Sequence, residues 1–166
     1  MTRTHWRPAY VGVGSNLESP VEQVERGITA LGALPDSVVA LASGLYRSSP
    51  LGPAAQPDFI NAVVALLTTL DPRQLLARLQ EIERRHGRKR TTERWGARTL
   101  DLDLLSYAGV VSQNAALTLP HPGIAARNFV LLPWREIAPY YHVPGLATVA
   151  ELAARAPDEP RIEKLA

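Results

Sequence analysis

The sequence predicts a single α+β domain in which helices cover a mostly antiparallel sheet. A long apolar segment at 59–70 is typical of a central strand. Alternating leucines and aspartates at 100–104 indicate a second strand, with one buried face. Two capping sequences, at Ser19 and at Asp71, each mark the start of an amphipathic helix.

The composition is that of an ordinary globular domain. Of the 166 residues, 46% are hydrophobic and 20% are charged, and the net charge is only +2. This balance argues against bulk nucleic-acid binding, and the absence of cysteine excludes disulfides and thiolate metal sites. No apolar run is long enough for a membrane helix, and the first residues lack a signal-peptide core. We expect one cytoplasmic domain over 1–166, with a tail at 1–8 and a loose end at 158–166.

The first half of the chain alternates strands and helices. Residues 10–13 form a short strand that Gly14-Ser15-Asn16 should end, and glycine there would let the backbone approach a ligand or a neighbouring strand. A plain turn is the alternative. Ser19, Pro20 and Glu22 then predict a capping box at the start of helix 1. The buried stripe of this helix is Val21, Val24, Ile28 and Leu31.

A second strand is predicted at 38–46, followed by a loop at 48–57 that is rich in proline and glycine. Asn61 is the unusual residue of the next strand, because a buried amide must satisfy an acceptor and two donors. It would bond the backbone or read the edge of a ligand.

Helix 2 begins after Asp71, and its residues Gln80 and Glu83 share one face, for which a solvated surface is the simplest interpretation. A short helix is predicted at 146–154. The irregular alternation of strands and helices, with hairpin-like junctions, favours a ferredoxin-like arrangement over a doubly wound parallel sheet.

The segment from 84 to 107 contains the most chemistry. Asp101 and Asp103 lie two apart on a strand, so their carboxylates point the same way, about 7 Å apart along the backbone. Such a pair suits a divalent metal, because Mg²⁺ is held by one or two carboxylates together with phosphate oxygens and water. Seven cations lie within the fifteen residues just upstream: Arg84, Arg85, Arg88, Lys89, Arg90, Arg94 and Arg98.

Acids beside arginines predict a site for a metal-bound polyphosphate, since arginine grips phosphate in bidentate fashion. A solvated charge cluster is the alternative. A nucleotidyltransferase would also combine a Gly-Ser turn with paired acids, but there the acids typically follow the turn within one helix. An RNA-binding module would need exposed aromatic residues on a basic sheet face, and the acidic strand argues against it.

Four blocks of the sequence resemble the 6-hydroxymethyl-7,8-dihydropterin pyrophosphokinase family. They are YVGVGSNL, LYRSSPLGPAAQPDFINAVV, ERWGARTLDLDLL and LPHPGIAARNFVLLPWREIAP, and the pattern R-W-G-x-R-T-L-D-L-D is the most specific part. The resemblance implies a ferredoxin-like sandwich with a mobile basic loop. It also implies transfer of a pyrophosphoryl group from ATP to a reduced pterin, with release of AMP, as a step of folate synthesis that uses two Mg²⁺ ions.

The resemblance also implies roles for individual residues. Asp101 and Asp103 would hold both Mg²⁺ ions, Arg88 and Arg98 would clamp the phosphates, and Trp95 would close on the site. The residues that fall where the family contacts ATP are Gln80, Glu83, Arg90, His121 and Arg127. Those that fall where it binds the pterin are Ser48, Leu51, Asn61 and the two stacking aromatics, Phe59 and Phe129.

Positioning and charge neutralisation dominate phosphoryl-group chemistry, so no protein nucleophile is assigned. The general base stays open between the metal-bound carboxylate of Asp103 and late loss of the proton from the substrate hydroxyl. Ala116 and Pro122 stand where some relatives carry arginine and tyrosine, which removes two possible ATP contacts. The expected partners are small molecules, with neither nucleic acid nor membrane, and we expect a monomer.

Overall fold

The computed structural model describes residues 5–17, 19–50, 56–87 and 99–165, and the fold is built around one antiparallel sheet of six strands. These strands are β1 Arg7–Ser15, β2 Ser37–Ala42, β3 Tyr46–Ser48, β4 Phe59–Thr68, β5 Asp101–Tyr107 and β8 Ile162–Lys164. A separate hairpin pairs β6 Ser112–Asn114 with β7 Leu117–Leu119. The helices are α1 Pro20–Gly32, α2 Pro72–Arg85, α3 Asn128–Ile137 and α4 Val149–Arg155, with a short 3-10 turn at Ile124–Ala126.

The order of the strands confirms the predicted fold class. Along the sheet they run β5-β1-β4-β3-β8. The strand β2 pairs with the later residues of β4, along the same edge as β3. With α1 after β1 and α2 after β4, the chain up to β5 follows the βαββαβ path of a ferredoxin-like sandwich. None of the helices in the described ranges is long and apolar enough to cross a membrane.

Each face of the sheet buries its own hydrophobic cluster. On the face covered by α1 and α2, the first cluster gathers alternate residues of β1, β4 and β5 around helix residues such as Val24 and Leu79. On the opposite face, α3 and α4 enclose the second cluster, which includes Val63, Leu105 and Trp134. By ordinary alternation, Leu104 of β5 packs in the first cluster and Leu105 in the second. A register shift beside Tyr10 then changes the parity of β5, so that Tyr107 packs in the first cluster with Leu104.

Several predicted boundaries are wrong. β1 is longer than 10–13, since the predicted tail residues Arg7 and Pro8 pair with β4, and Gly14 and Ser15 continue the strand. The single strand predicted at 38–46 is divided into β2 and β3. Between these two strands, the Ser43 hydroxyl accepts from the Val63 amide at 2.9 Å, so a side chain replaces part of the ladder.

The start of α1 and the C-terminal end of the chain also differ from their predictions. Helix α1 begins after Ser19, but Ser19 has φ 63° and its side chain makes no capping bond, so the predicted capping box does not form. Within the end that was predicted to be loose, residues 162–164 form β8, which adds an edge strand beside β3. The short strand is stabilised by that pairing, together with the ion pair between Lys164 and Glu136.

Candidate active site

The candidate site lies on the second face of the sheet, at the end that the second cluster leaves uncovered. On β4, the side chain of Asn61 points to the same face as that of buried Val63, two residues later. On β5, the side chains of Asp101 and Asp103 point to the same face as that of buried Leu105. The polar residues therefore continue the two strands beyond the point where α3 and α4 cover them. Both aspartates are partly exposed, whereas Leu100, Leu102 and Leu104 are buried in the first cluster, as the alternation predicts.

Two glycines of β1 form the floor between these strands. Gly14 lies opposite Asn61 on one side and Asp101 on the other, and Gly12 lies opposite Val63 and Asp103. Because neighbouring strands are about 4.8 Å apart, the backbones of Asn61 and Asp101 are separated by about 10 Å. A Cβ atom at Gly14 would come within 3.4 Å of the Asn61 Oδ1 and would project into this space. The glycines thus leave a trough between the amide and the acidic pair.

Glu83 supports the acidic strand from α2. Its side chain is only 6% exposed, and its Oε2 accepts a hydrogen bond of 2.9 Å from the amide of Leu102, the residue between the two aspartates. The solvated-surface interpretation of Glu83 is therefore wrong. Gln80, one turn earlier on α2, is partly buried. Glu83 fixes the backbone from which both aspartates project, whatever else it contacts.

We expect Glu83→Ala to destabilise the fold more than Glu83→Gln. Alanine leaves the buried Leu102 amide without its acceptor, which costs about 1–3 kcal/mol, whereas glutamine retains an oxygen for that bond. A loss of this size lowers the melting temperature by about 2–4 °C per kcal/mol in a chain of this length. Thermal unfolding of the two variants measures the difference, and equal melting temperatures would contradict the role of the hydrogen bond.

On the other side of the trough, Asn61 is held by Ser48. The Asn61 Nδ2 donates to the Ser48 Oγ at 2.8 Å, and both side chains are buried. Phe59 lies opposite Ser48 in the register and is partly exposed. The bond to Ser48 occupies one donor and fixes the orientation of the amide. Ser48, Phe59 and Asn61, which were predicted together, thus lie together at one end of β3 and β4.

Asn16 also stabilises the end of β4 that carries Phe59 and Asn61. From the sequence, it is predicted only as part of a turn. It is 1% exposed, and its Nδ2 donates to the Gln56 Oε1 at 3.0 Å and to the Pro57 carbonyl at 3.2 Å. These bonds connect the end of β1 to the residues that precede Phe59. A buried asparagine immediately after a glycine-containing strand is the signal that could have identified this role.

The third side of the site comes from the segment before α3. Phe129 lies in the first turn of α3 and packs against the second cluster, and the guanidinium carbon of Arg127 is 6.0 Å from the centre of its ring. His121 is anchored to β5, because its amide donates to the Leu105 carbonyl at 2.8 Å. Its Nδ1 lies 2.6 Å from the Pro122 carbonyl. Since a carbonyl only accepts, Nδ1 carries the proton and Nε2 is left to face other groups.

Burial, together with the positive charge of Arg127, lowers the pKa of His121 below its usual 6.5, and the Pro122 hydrogen bond and Asp101 oppose the shift only in part. In the pH range between the lowered pKa and 6.5, the unfolded chain binds a proton that the folded one does not. We therefore expect the protein to lose stability as the pH falls below about 6.5. As the pH falls from 7.5 to 5, the melting temperature of His121→Gln should decline less than that of the unmodified protein. Parallel curves for the two proteins would contradict the lowered pKa of His121.

Five of the predicted site residues lie outside the described residues: Leu51, Arg88, Arg90, Trp95 and Arg98. Their roles stay predictions. Within the described ranges, no group of three or more His, Asp and Glu side chains is placed to hold a metal ion. The aspartate pair nevertheless fits Mg²⁺, because this hard cation uses one or two carboxylates and takes its other oxygens from phosphates and water.

Comparison with known proteins identifies the family. The family model for 7,8-dihydro-6-hydroxymethylpterin-pyrophosphokinase (HPPK) matches residues 10–139. The 2-amino-4-hydroxy-6-hydroxymethyldihydropteridine pyrophosphokinase of Haemophilus influenzae is 43% identical over 155 residues, covering 93% of this chain and 96% of the relative. The protein of the same name from Pseudomonas aeruginosa is 45% identical over 156 residues, covering 94% and 95%.

Solved structures agree on the fold. The Plasmodium falciparum HPPK-DHPS wild type, crystallised with pteroate, superposes with a TM-score of 0.72 at 12% sequence identity. The match covers 93% of this chain and 45% of that one, so this chain spans less than half of the longer protein. With 130 of its residues inside the family model and close relatives of nearly equal length, the chain belongs to the 7,8-dihydro-6-hydroxymethylpterin-pyrophosphokinase family.

Proposed function

We propose that this pyrophosphokinase binds its reduced pterin and its metal-bound ATP on the two sides of the trough floored by Gly12 and Gly14. The reaction transfers pyrophosphate from ATP to the hydroxymethyl group of 6-hydroxymethyl-7,8-dihydropterin and releases AMP, a step of tetrahydrofolate biosynthesis. The observation that carries the assignment is the register of β1, which places Asn61 and the aspartate pair on the same face, one strand to each side.

On the pterin side, Ser48 and Asn61 offer donors and acceptors to the rim of a flat heterocycle. Phe59 and Phe129 would stack against its two faces, which is the geometry that an aromatic ring requires. Leu51 and Trp95 would complete this side. The bond from Asn61 to Ser48 fixes the orientation of the amide before the substrate arrives, so that its second N–H and its carbonyl are already held in place. This lowers the entropy cost of ordering the site on binding.

On the nucleotide side, Asp101 and Asp103 would hold two Mg²⁺ ions, which neutralise phosphate charge when bound. His121 lies close enough to Asp101 and to Arg127 to respond to both charges. His121 and Arg127 would contact ATP, together with Gln80, Glu83 and Arg90. Arg88 and Arg98 would clamp the triphosphate. The chain's own part in the reaction is to hold the hydroxymethyl oxygen in line with the β-phosphorus of ATP.

Transfer then forms one bond and breaks one. The hydroxymethyl oxygen attacks the β-phosphorus, the bond from that phosphorus to the oxygen shared with the α-phosphate breaks, and AMP leaves with that oxygen. The substrate proton passes to solvent or to the Asp103 carboxylate. We also propose that the enzyme acts as a cytoplasmic monomer and needs no macromolecular partner.

An assay with ATP, Mg²⁺ and the reduced pterin tests this proposal directly. We expect AMP and a pterin carrying two additional phosphates by mass, and both should require Mg²⁺. A pterin with a methyl group in place of the hydroxymethyl group is the matched control, because it binds but has no oxygen to accept the transfer. Formation of ADP, or AMP release that does not depend on the acceptor hydroxyl, would overturn the proposal.

A further inference from the structure

The Asn128 side chain binds a distant segment of the chain and does not cap its own helix. It is the first residue of α3 and is 3% exposed, and the residue before it caps the helix without any side-chain bond. The Asn128 Nδ2 donates to two backbone carbonyls, that of Pro157 at 3.1 Å and that of Pro160 at 2.7 Å. Both amide hydrogens are therefore used to hold the segment that follows α4.

The neighbours of Asn128 belong to the candidate site. Arg127 and Phe129 flank it directly, and they form the nucleotide and pterin contacts proposed above. A shift of the α3 start by a fraction of an ångström would displace the rigid ring of Phe129 inside the helix, whereas the long side chain of Arg127 can change its rotamer and keep its contact with ATP. Anchoring the residue between them thus fixes the position of one wall of the site.

The anchored segment continues to the opposite wall. Directly after Pro160, the Arg161 carbonyl accepts from the Ser49 amide at 3.1 Å, and Ile162 pairs with Ser48 at the start of β8. Ser48 in turn accepts the hydrogen bond of Asn61. Farther along, the Leu165 amide donates to the Leu45 carbonyl at 2.8 Å, and Lys164 pairs with Glu136. Residues 157–165, here called the C-terminal brace, therefore connect Asn128 to β3.

We propose that Asn128 and the C-terminal brace set the spacing between the two walls of the pterin site, Phe129 on one side and Ser48 with Asn61 on the other. Asn128 is on this view a positioning residue that touches no substrate. The inference rests on the proposed function, since it takes these residues as the pterin contacts. A stack on a flat ring is sensitive to this spacing because its energy depends on the distance between the rings.

Asn128→Ala tests the proposal through the separation of KM from kcat. We expect the KM for the pterin to rise about tenfold or more, while the KM for ATP and the kcat at saturating pterin each stay within about threefold. Leu31→Ala is the control for lost stability alone, because Leu31 is fully buried in the first cluster on the other face of the sheet. It should lower the melting temperature and leave the KM for the pterin within twofold.

A second variant loosens the brace at its other end. Glu163→Pro disrupts β8 opposite Arg47 without touching Asn128, so it should raise the pterin KM in the same direction. Combining it with Asn128→Ala should add little, because both release one segment. A wild-type pterin KM in either folded variant would overturn the proposal, as would equal rises in both KM values. If the unmodified protein released no AMP, the proposed function would fail instead.

Discussion

Replacing either aspartate of the acidic pair should reduce AMP release at least about a thousandfold while the fold is retained. Asp101→Asn and Asp103→Asn keep the shape of each side chain but remove the charge that we propose holds Mg²⁺ against the triphosphate. Preorganised charge at developing negative oxygens is often the largest contribution to catalysis, and one lost group commonly costs a factor of hundreds to a thousand. Initial rates at saturating substrates, with melting temperatures alongside, measure the effect.

Asp36→Asn is the matched control for this pair. Asp36 is an exposed turn residue with φ 56°, a conformation that asparagine adopts readily, and it lies at the far end of the sheet beside Thr69. It should turn over at the wild-type rate. Near-normal turnover in either site variant would remove the metal assignment, and with it the interpretation of the trough as a catalytic centre.

Arg98→Ala should lower kcat by about a thousandfold and change the affinity for the pterin by only a few fold. An arginine that meets phosphate charge mainly in the transition state raises the rate without tightening the ground state, and such residues contribute about 10³ or more to phosphoryl transfer. Single-turnover rates and the pterin dissociation constant should be measured on the same protein. Equal losses in rate and affinity would make Arg98 a docking residue.

Two further variants separate charge from geometry at this position. Arg98→Lys restores the positive charge but not the planar fork that grips two phosphate oxygens, so it should recover only part of the loss. Arg73→Ala, at an exposed residue in the first turn of α2, is the control for removing one cation from the surface. It should leave both constants unchanged.

Features set by near neighbours in the sequence were predictable. The capping box of α2 is present as predicted, because the Asp71 carboxylate and the Gln74 amide lie three residues apart and bond each other's backbones. The alternation of leucine and aspartate in β5 correctly predicted which side chains are buried, since the two-residue period of a strand needs no tertiary information. At Ser19 the same local rule failed, because Ser19 has a left-handed backbone in place of the extended one that an N-cap needs, and its side chain makes no capping bond.

Features that depend on distant packing could not be predicted. Glu83 is buried only because α2 lies against β5 and offers it the Leu102 amide, and helical spacing says nothing of that contact. The short strand β8 has no pattern of its own and exists through its pairing with β3. Asn16 and Asn128 bond chain segments more than twenty-five residues away, so only the folded structure reveals what they hold.

The direction of β1 decides how the enzyme should be attached to a surface or joined to another protein. The strand enters the sheet at Arg7 and reaches the floor glycines, Gly12 and Gly14, about 17 and 24 Å farther along at about 3.4 Å per residue. A linker or sensor-chip tether fused ahead of Arg7 therefore emerges on the side remote from substrate entry. One fused after Leu165 would leave beside Leu45, because β8 begins next to Ser48 and runs away from the pterin side.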